Sequence, residues 1–439
     1  MNRKKIYTGC ILGMTLLSLF GCQAKQSNDT VTETNEIVTS IKDPVEVEFW
    51  HAMSGDLDAT VNELVDTFNT TVGAEKGITV KAVYQGSYED LKSKTTAAIK
   101  AGKAPGLAQA LSNYVVEYMQ AGVVQPLDEY ISNSEVGIQD FEDIYEAYRN
   151  ENSQYSEDGT FYSLPFNKST EVLIYNKTFF DENNLSVPTT WDEMEQVSKQ
   201  IKELTGNAAL GFDAPESYLI TMIKQFGGEY TSSTGELLFD AEGPALKALE
   251  LLKRNTDAGY WRLAGEDKYM SGPFTSGLVS MYIGSSASYS FLQNTDFEWA
   301  TAPIPQISDE TKAVIQQGSN IVVFNQNKSA EEVYGAYEFV KFLCSTEGNL
   351  QWVLNTGYLP IRESVTNNEA YQQYVEESGD TTKITGPAQA DAYFYEPSFF
   401  NDSYTATQVR SEMRTAVEKV VLAGEEPKAV LEYTLSLFK

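Results

Sequence analysis

Histidine is almost missing from this 439-residue chain, and cysteine is nearly as scarce. The one histidine is His51, so histidine-built metal sites and Ser–His or Cys–His relays have little material. The cysteines are Cys10, Cys22 and Cys344, and the first two fall in an N-terminal leader-like stretch. One remaining thiol makes neither an intramolecular disulfide nor a cysteine-clustered metal site. Cys344 shares helical spacing with Val333, Tyr337 and Val340, which is the setting of a core thiol rather than a nucleophile. The chain also lacks a P-loop and a GxGxxG fingerprint. Gly284-Ser285-Ser286-Ala287-Ser288 misses the last glycine of a nucleophile elbow. Asp56-Leu57-Asp58 lacks the Gly and distal Glu of a calcium loop. No cofactor and no metal are therefore expected. Positive charge is short too: 32 Lys and Arg stand against 62 Asp and Glu, a net charge of −30. That balance argues against nucleic acid or an anionic membrane face as partner, and only weakly against a small anionic ligand. A glycosidase pair remains open among so many carboxylates, but abundance is its only support.

What is present begins at the N-terminus. Arg3, Lys4 and Lys5 precede an apolar run from Ile6 to Phe20 that ends at Gly21-Cys22. The run is shorter than the roughly 20 residues a bilayer requires and has the order of a secretory signal. Leu19-Phe20-Gly21-Cys22 resembles the bacterial lipobox, which implies a signal peptide over 1–21 and lipidation of Cys22. Cleavage by the ordinary signal peptidase, with Cys22 incidental, is the alternative. Residues 23–44 are polar and contain no aromatic, and 22–44 is expected to be a lipidated, disordered tether.

From Val45 the chain reads as globular, and its roughly 395 residues exceed one ordinary core, so two lobes are expected. Val45 to Trp50 alternates with period two, as a strand does; Leu57, Val61, Leu64, Val65 and Phe68 then form a helical stripe. Ile78 to Val83 is a second strand, and Tyr88 to Ala101 a helix stopped by Gly102. Ser329 with Glu332 forms a capping box; Val409, Met413, Val417 and Val420 make a late stripe. Strand–helix alternation of this kind indicates an α/β fold with largely parallel pairing.

Several stretches add up to something more specific. They are Glu48-Phe49-Trp50-His51-Ala52-Met53-Ser54-Gly55, Gly86-Ser87-Tyr88-Glu89, the run Leu164–Lys177, Pro188–Glu193, and Asn355-Thr356-Gly357-Tyr358-Leu359-Pro360-Ile361. In this order and spacing the chain resembles the family 1 extracellular solute-binding proteins of ABC importers over residues 45–439, and most nearly the glycerol-3-phosphate receptors among them. The resemblance implies a two-lobed periplasmic-binding-protein-like fold of type II. Each lobe would be a mainly parallel sheet flanked by helices, and the chain would cross between lobes three times at a hinge. It places 45–168 plus 320–352 in lobe one and 169–319 plus 353–439 in lobe two. It also implies small-molecule capture on the extracytoplasmic face and delivery to membrane permease subunits, with no enzymatic step.

Position by position, the resemblance carries ligand contacts onto Tyr88, Ser169, Ser285, Ser286, Gly318 and Tyr358. Hydroxyls, exposed backbone N–H groups and tyrosine faces also suit a polyhydroxylated ligand on physical grounds. Trp50 is a further candidate at the cleft edge. The departures bear on ligand identity. Ser112 stands where the relative has a glutamate, and Tyr218 falls near its tryptophan platform. Asp402 falls where counting back eight residues from Arg410 puts its phosphate-binding arginine. A carboxylate there would repel phosphate, so a neutral sugar or short oligosaccharide is the expected ligand, stacked on residues such as Tyr393, Tyr395 or Phe400. A receptor for glycerol-3-phosphate or a glycerophosphodiester is the alternative, separable by whether a cation faces the cleft. A surface carbohydrate-acting enzyme or adhesin is the reading from another class.

Overall fold

Val47, Phe49 and His51 point inward from the first strand while Glu46 and Glu48 face solvent, as the alternation of the sequence requires. The computed structural model describes residues 37–292 and 295–439; the expected signal peptide, Cys22 and most of the expected tether lie outside them. Ten strands occur among the described residues. They are β1 Val45–His51, β2 Ile78–Tyr84, β3 Leu107–Ala110, β4 Leu164–Asn176 and β5 Leu210–Phe212, then β6 Trp261–Leu263, β7 Met281–Ser285, β8 Trp299–Ala302, β9 Val314–Val323 and β10 Tyr393–Phe394. Their hydrogen-bonded order is β2-β1-β3-β9-β4-β7-β5-β6, with β8 on β4 and β10 on β9.

The order contains two parallel halves. β2, β1 and β3 pair in parallel and β9 closes them antiparallel; β6, β5 and β7 pair in parallel and β4 closes them antiparallel. Each half has its own apolar core. The first gathers Phe49, Val61, Phe68, Leu107 and Phe339, and the second Trp191, Phe212, Leu249, Trp261 and Val417. This is the two-lobed α/β architecture expected from the sequence.

β4 and β9 belong to both lobes. β4 places Leu164 and Phe166 in the first core and Leu173 in the second, and β9 places Ile321 and Val323 in the first and Val314 and Ile315 in the second. The two strands pair with each other, with a register shift between Pro165 and Lys168. Local sequence chemistry starts the helices that cover the sheets. Capping boxes at Ser87–Asp90, Thr190–Glu193, Ser329–Glu332 and Thr405–Gln408 open the helices Tyr88–Lys100, Trp191–Thr205, Ala330–Leu343 and Ala406–Leu422. Cys344 ends the third of these, buried, with its Sγ 3.2 Å from the Pro165 carbonyl.

Two expectations about boundaries change. Ile37 and Ile41 pack on the first core and the Lys42 N–H donates to Glu331, so the folded body begins before Val45. Residues 353–371, assigned to lobe two, send Val353, Tyr358, Ile361, Val365 and Tyr371 into the first core. The cause lies in two anchors. Trp352 stacks on Tyr358 and lies against Phe166, and the buried Arg362 guanidinium pairs with Asp140 and Asp143 at 2.5 Å each.

Candidate ligand-binding cleft

The capping box at Ser87 aims Tyr88, the first residue of its helix, at the crossing strands. Its hydroxyl accepts from Asn167 Nδ2 at 3.1 Å and from Gln109 Nε2 at 3.2 Å, and Asn167 Oδ1 accepts from the Ser319 N–H at 3.1 Å. Burial raises the pKa of this hydroxyl, so it keeps its proton. Beside it β9 bends at Gly318, where φ is +102° and a Cβ would meet the Asn167 carbonyl oxygen at 1.9 Å. Only glycine fits that approach.

These groups open onto a cavity of about 540 Å³ lined by Tyr88, Ser169, Ser285, Gly318 and Tyr358, five of the positions named from the sequence. Its volume lies within the roughly 300–1,000 Å³ typical of small-molecule sites. Tyr84, Tyr269 and Phe291 stand at its edge with 51%, 68% and 65% of their surface exposed, enough to receive a ring face. Among the described residues, the charged ones on its lining are Glu89 and Asp213, with no Lys or Arg. Burial pushes Asp213 up to about 6, opposed by the Met270 N–H that its Oδ1 accepts at 2.5 Å.

A second cavity, about 240 Å³, shares Tyr88, Leu111, Gln317 and Gly318 with the first, so the two form one cleft. Ser112 lies here; it donates to Glu151 at 2.6 Å, and Glu151 in turn pairs with the buried Lys168 at 2.8 Å. Tyr395 also lines it. Arg410, from the helix Ala406–Leu422, reaches the wall and meets Glu396 through Nη1, with Ser217 Oγ 2.8 Å and Glu216 3.4 Å from Nη2. A cation therefore faces the cleft, but it is already neutralised.

Four expected positions line neither cavity. Tyr218 is core: its ring lies edge-on to Trp191 and Phe212, and its hydroxyl donates to the Ala248 carbonyl at 3.1 Å. Ser286 is fully buried and accepts from the Thr170 N–H at 3.2 Å, tying the turn after β7 to β4. Trp50 packs on a smaller cluster under β3, and its indole N–H donates to Glu48 at 3.0 Å. Asp402 is exposed in a turn held by Asn401, whose Oδ1 accepts from the N–H groups of Ser403 and Tyr404 at 2.9 Å. The turn precedes the Thr405 cap, which keeps Asp402 outside the cleft while Arg410, further along the helix, enters it. Tyr393 and Phe400 also sit apart, the first donating to the Gly386 carbonyl and the second on a separate surface cavity.

Sequence reasoning missed Glu89, Asp213, Tyr269, Glu151, Glu396 and the cleft role of Arg410. Glu89 alone had a signal, since it follows Tyr88 within one of the motifs.

Comparison with known proteins places this geometry. A family model described as bacterial extracellular solute-binding protein matches residues 63–377. The sn-glycerol-3-phosphate-binding periplasmic protein UgpB of Yersinia enterocolitica is 25% identical over 332 residues, covering 72% of this chain and 74% of the relative. The UgpB of Pectobacterium atrosepticum is 27% identical over 333 residues, 72% and 73% of the two chains. Among solved structures, UgpB of Mycobacterium tuberculosis in complex with glycerophosphocholine matches with a TM-score of 0.78 at 19% identity, over 90% of this chain and 97% of that one. The GacH receptor of Streptomyces glaucescens, studied unliganded and with acarbose, matches with a TM-score of 0.74 at 19% identity, over 90% and 99%. The chain belongs to the bacterial extracellular solute-binding proteins, receptors that bind a small molecule and deliver it to the permease subunits of an ABC importer.

Proposed function

We propose that this receptor captures a neutral sugar or short oligosaccharide in the cleft between its lobes, and that it has no catalytic role. The observation that carries the ligand class is the charge of the cleft. The larger cavity offers Glu89, Asp213, hydroxyls and tyrosine faces without a cation, and Arg410 in the smaller one is paired with Glu396 and Glu216. Carboxylates accept hydrogen bonds from sugar hydroxyls and repel phosphate. The contact set Tyr88, Ser169, Ser285, Gly318 and Tyr358, with Ser112 and Tyr395 alongside, is consistent with such a ligand.

The second reading is a receptor for glycerol-3-phosphate or a glycerophosphodiester. It is favoured by the ligand named for the relatives and by the guanidinium on the cleft wall. Thermal-shift screening of the purified protein separates the two, because a ligand at 100 times its Kd adds about 2.7 kcal/mol of stability. Sugars are expected to raise the melting temperature and glycerol-3-phosphate to leave it in place; the reverse pattern overturns the sugar reading. Release of product from nitrophenyl glycosides would defeat the non-enzymatic part.

An extracytoplasmic place follows from the family, and no helix among the described residues is long and apolar enough to cross a membrane. We propose the lipid anchor at Cys22 as the attachment. Cys22→Ser is expected to move the protein out of the membrane fraction, and a processed variant that kept a diacylglycerol mass would refute the assignment.

A further inference from the structure

Among the described residues, Arg410 is the only Lys or Arg lining either cavity of the cleft. A guanidinium on the wall of a ligand cavity is ordinarily an anion site, because its fork of donors matches phosphate or carboxylate oxygens. Here the fork is occupied from within. Nη1 meets Glu396, which lines the same cavity, and Nη2 donates to Ser217 Oγ at 2.8 Å. Glu216 lies 3.4 Å from Nη2, but Arg414 already holds both its oxygens, at 2.9 and 2.7 Å. Glu216 is thus shared with Arg414, and Glu396 is the nearer of the two carboxylates on Arg410 and the one it does not share. The Glu396 loop is fixed across the cavity, where the Ser398 N–H donates to Gln154 Oε1 at 2.8 Å.

Two groups on the same cavity are left over. The Tyr230 hydroxyl and Gln316 Oε1 are buried with no protein partner among the described residues, at 5% and 8% residue exposure. Buried polar atoms of this kind require a partner, and the amide oxygen accepts only from a donor. A hydroxyl-bearing unit supplies such donors; a fully ionised phosphate supplies none.

We propose that the smaller cavity is a second subsite taking the hydroxyls of a neutral unit, and that Glu396 sets this preference by occupying Arg410. The proposal rests on the neutral-ligand reading of the whole cleft but is tested apart from it. Glu396 acts through Arg410, so it is a positioning residue.

The probes are glycerol-3-phosphate and glycerol, titrated into the full purified protein as wild type, Glu396→Gln and Glu396→Asp. Glu396→Gln, which releases the guanidinium, is expected to bind glycerol-3-phosphate at least about tenfold more tightly than wild type. The gain should fall with added salt and be absent for glycerol, while Glu396→Asp, which keeps the charge, should stay near wild type. Glu396→Ala serves as a second release of Arg410 should the Gln variant fold poorly. Equal phosphate affinity in wild type and the released variants, or an equal gain for glycerol, overturns the role of Glu396. If wild type ignores every sugar yet Glu396→Gln gains phosphate affinity, the role of Glu396 stands and the sugar reading falls.

Discussion

Glu171 lies on β4 with 2% of its surface exposed, and its best side-chain contact is a long one from Gln317 Nε2 at 3.5 Å. Burial pushes its carboxyl up to about 8; Arg410 lowers it, while Glu216, Asp213 and Glu396 raise it further. The folded chain therefore holds this proton more tightly than the unfolded chain, where the group titrates near 4.5. Its contribution to stability is full below pH 4.5 and is lost as pH rises towards 8. Glu171→Gln removes the ionisable group while keeping the shape. Urea midpoints are expected to be higher for the variant than for wild type at pH 8, with the difference closing by pH 5. A constant difference across that range would show that the glutamate is not the source.

Between β4 and the helix Glu146–Ser153, Lys168 and Glu151 form a buried ion pair at 2.8 Å. Burial lowers the lysine pKa and the Glu151 charge opposes that shift. Glu151 also accepts from Ser112 at 2.6 Å, so the pair joins the first lobe to the cleft wall. Lys168→Met leaves a buried carboxylate unpaired and is expected to cost about 3–5 kcal/mol, whereas Lys168→Met with Glu151→Gln should recover most of that loss. A denaturant double-mutant cycle measures the coupling. A single Lys168→Met loss no larger than that of the double variant would mean that the pair does not act as a unit.

At the scale of the molecule, two cores joined by β4 and β9 describe a body able to bend where those strands pass between the cores. The proposed ligand contacts come from both sides of that line, since Tyr88 and Tyr358 pack with the first core while Ser169 and Ser285 lie on strands that run to the second. Binding in such a cleft favours closure, because only the closed form makes both sets of contacts. Saturating ligand is expected to lower the radius of gyration measured by X-ray scattering and to slow hydrogen exchange in β4 and β9. A tight ligand that altered neither would count against the hinged description.

The α/β class, the strand and stripe of residues 45–68, and the capping box at Ser329 follow from periods and spacings a few residues long. The sequence by itself determined those, because period-two alternation, helical stripes and cap hydrogen bonds act between near neighbours. Motif likeness also reached Tyr88, Ser169, Ser285, Gly318 and Tyr358, each inside or beside a stretch whose local geometry is tightly specified. Tyr218 and Asp402 were misplaced because they depended on counting between motifs, and one helix start moves a side chain from cleft to core or solvent. Only the tertiary structure decided that Arg410 enters the cleft and that Glu396 and Glu216 neutralise it. Those carboxylates stand 14 and 194 residues from it in the chain. Coulombic and hydrogen-bond energies depend on distance in space, and no local spacing records which distant charges the fold brings together.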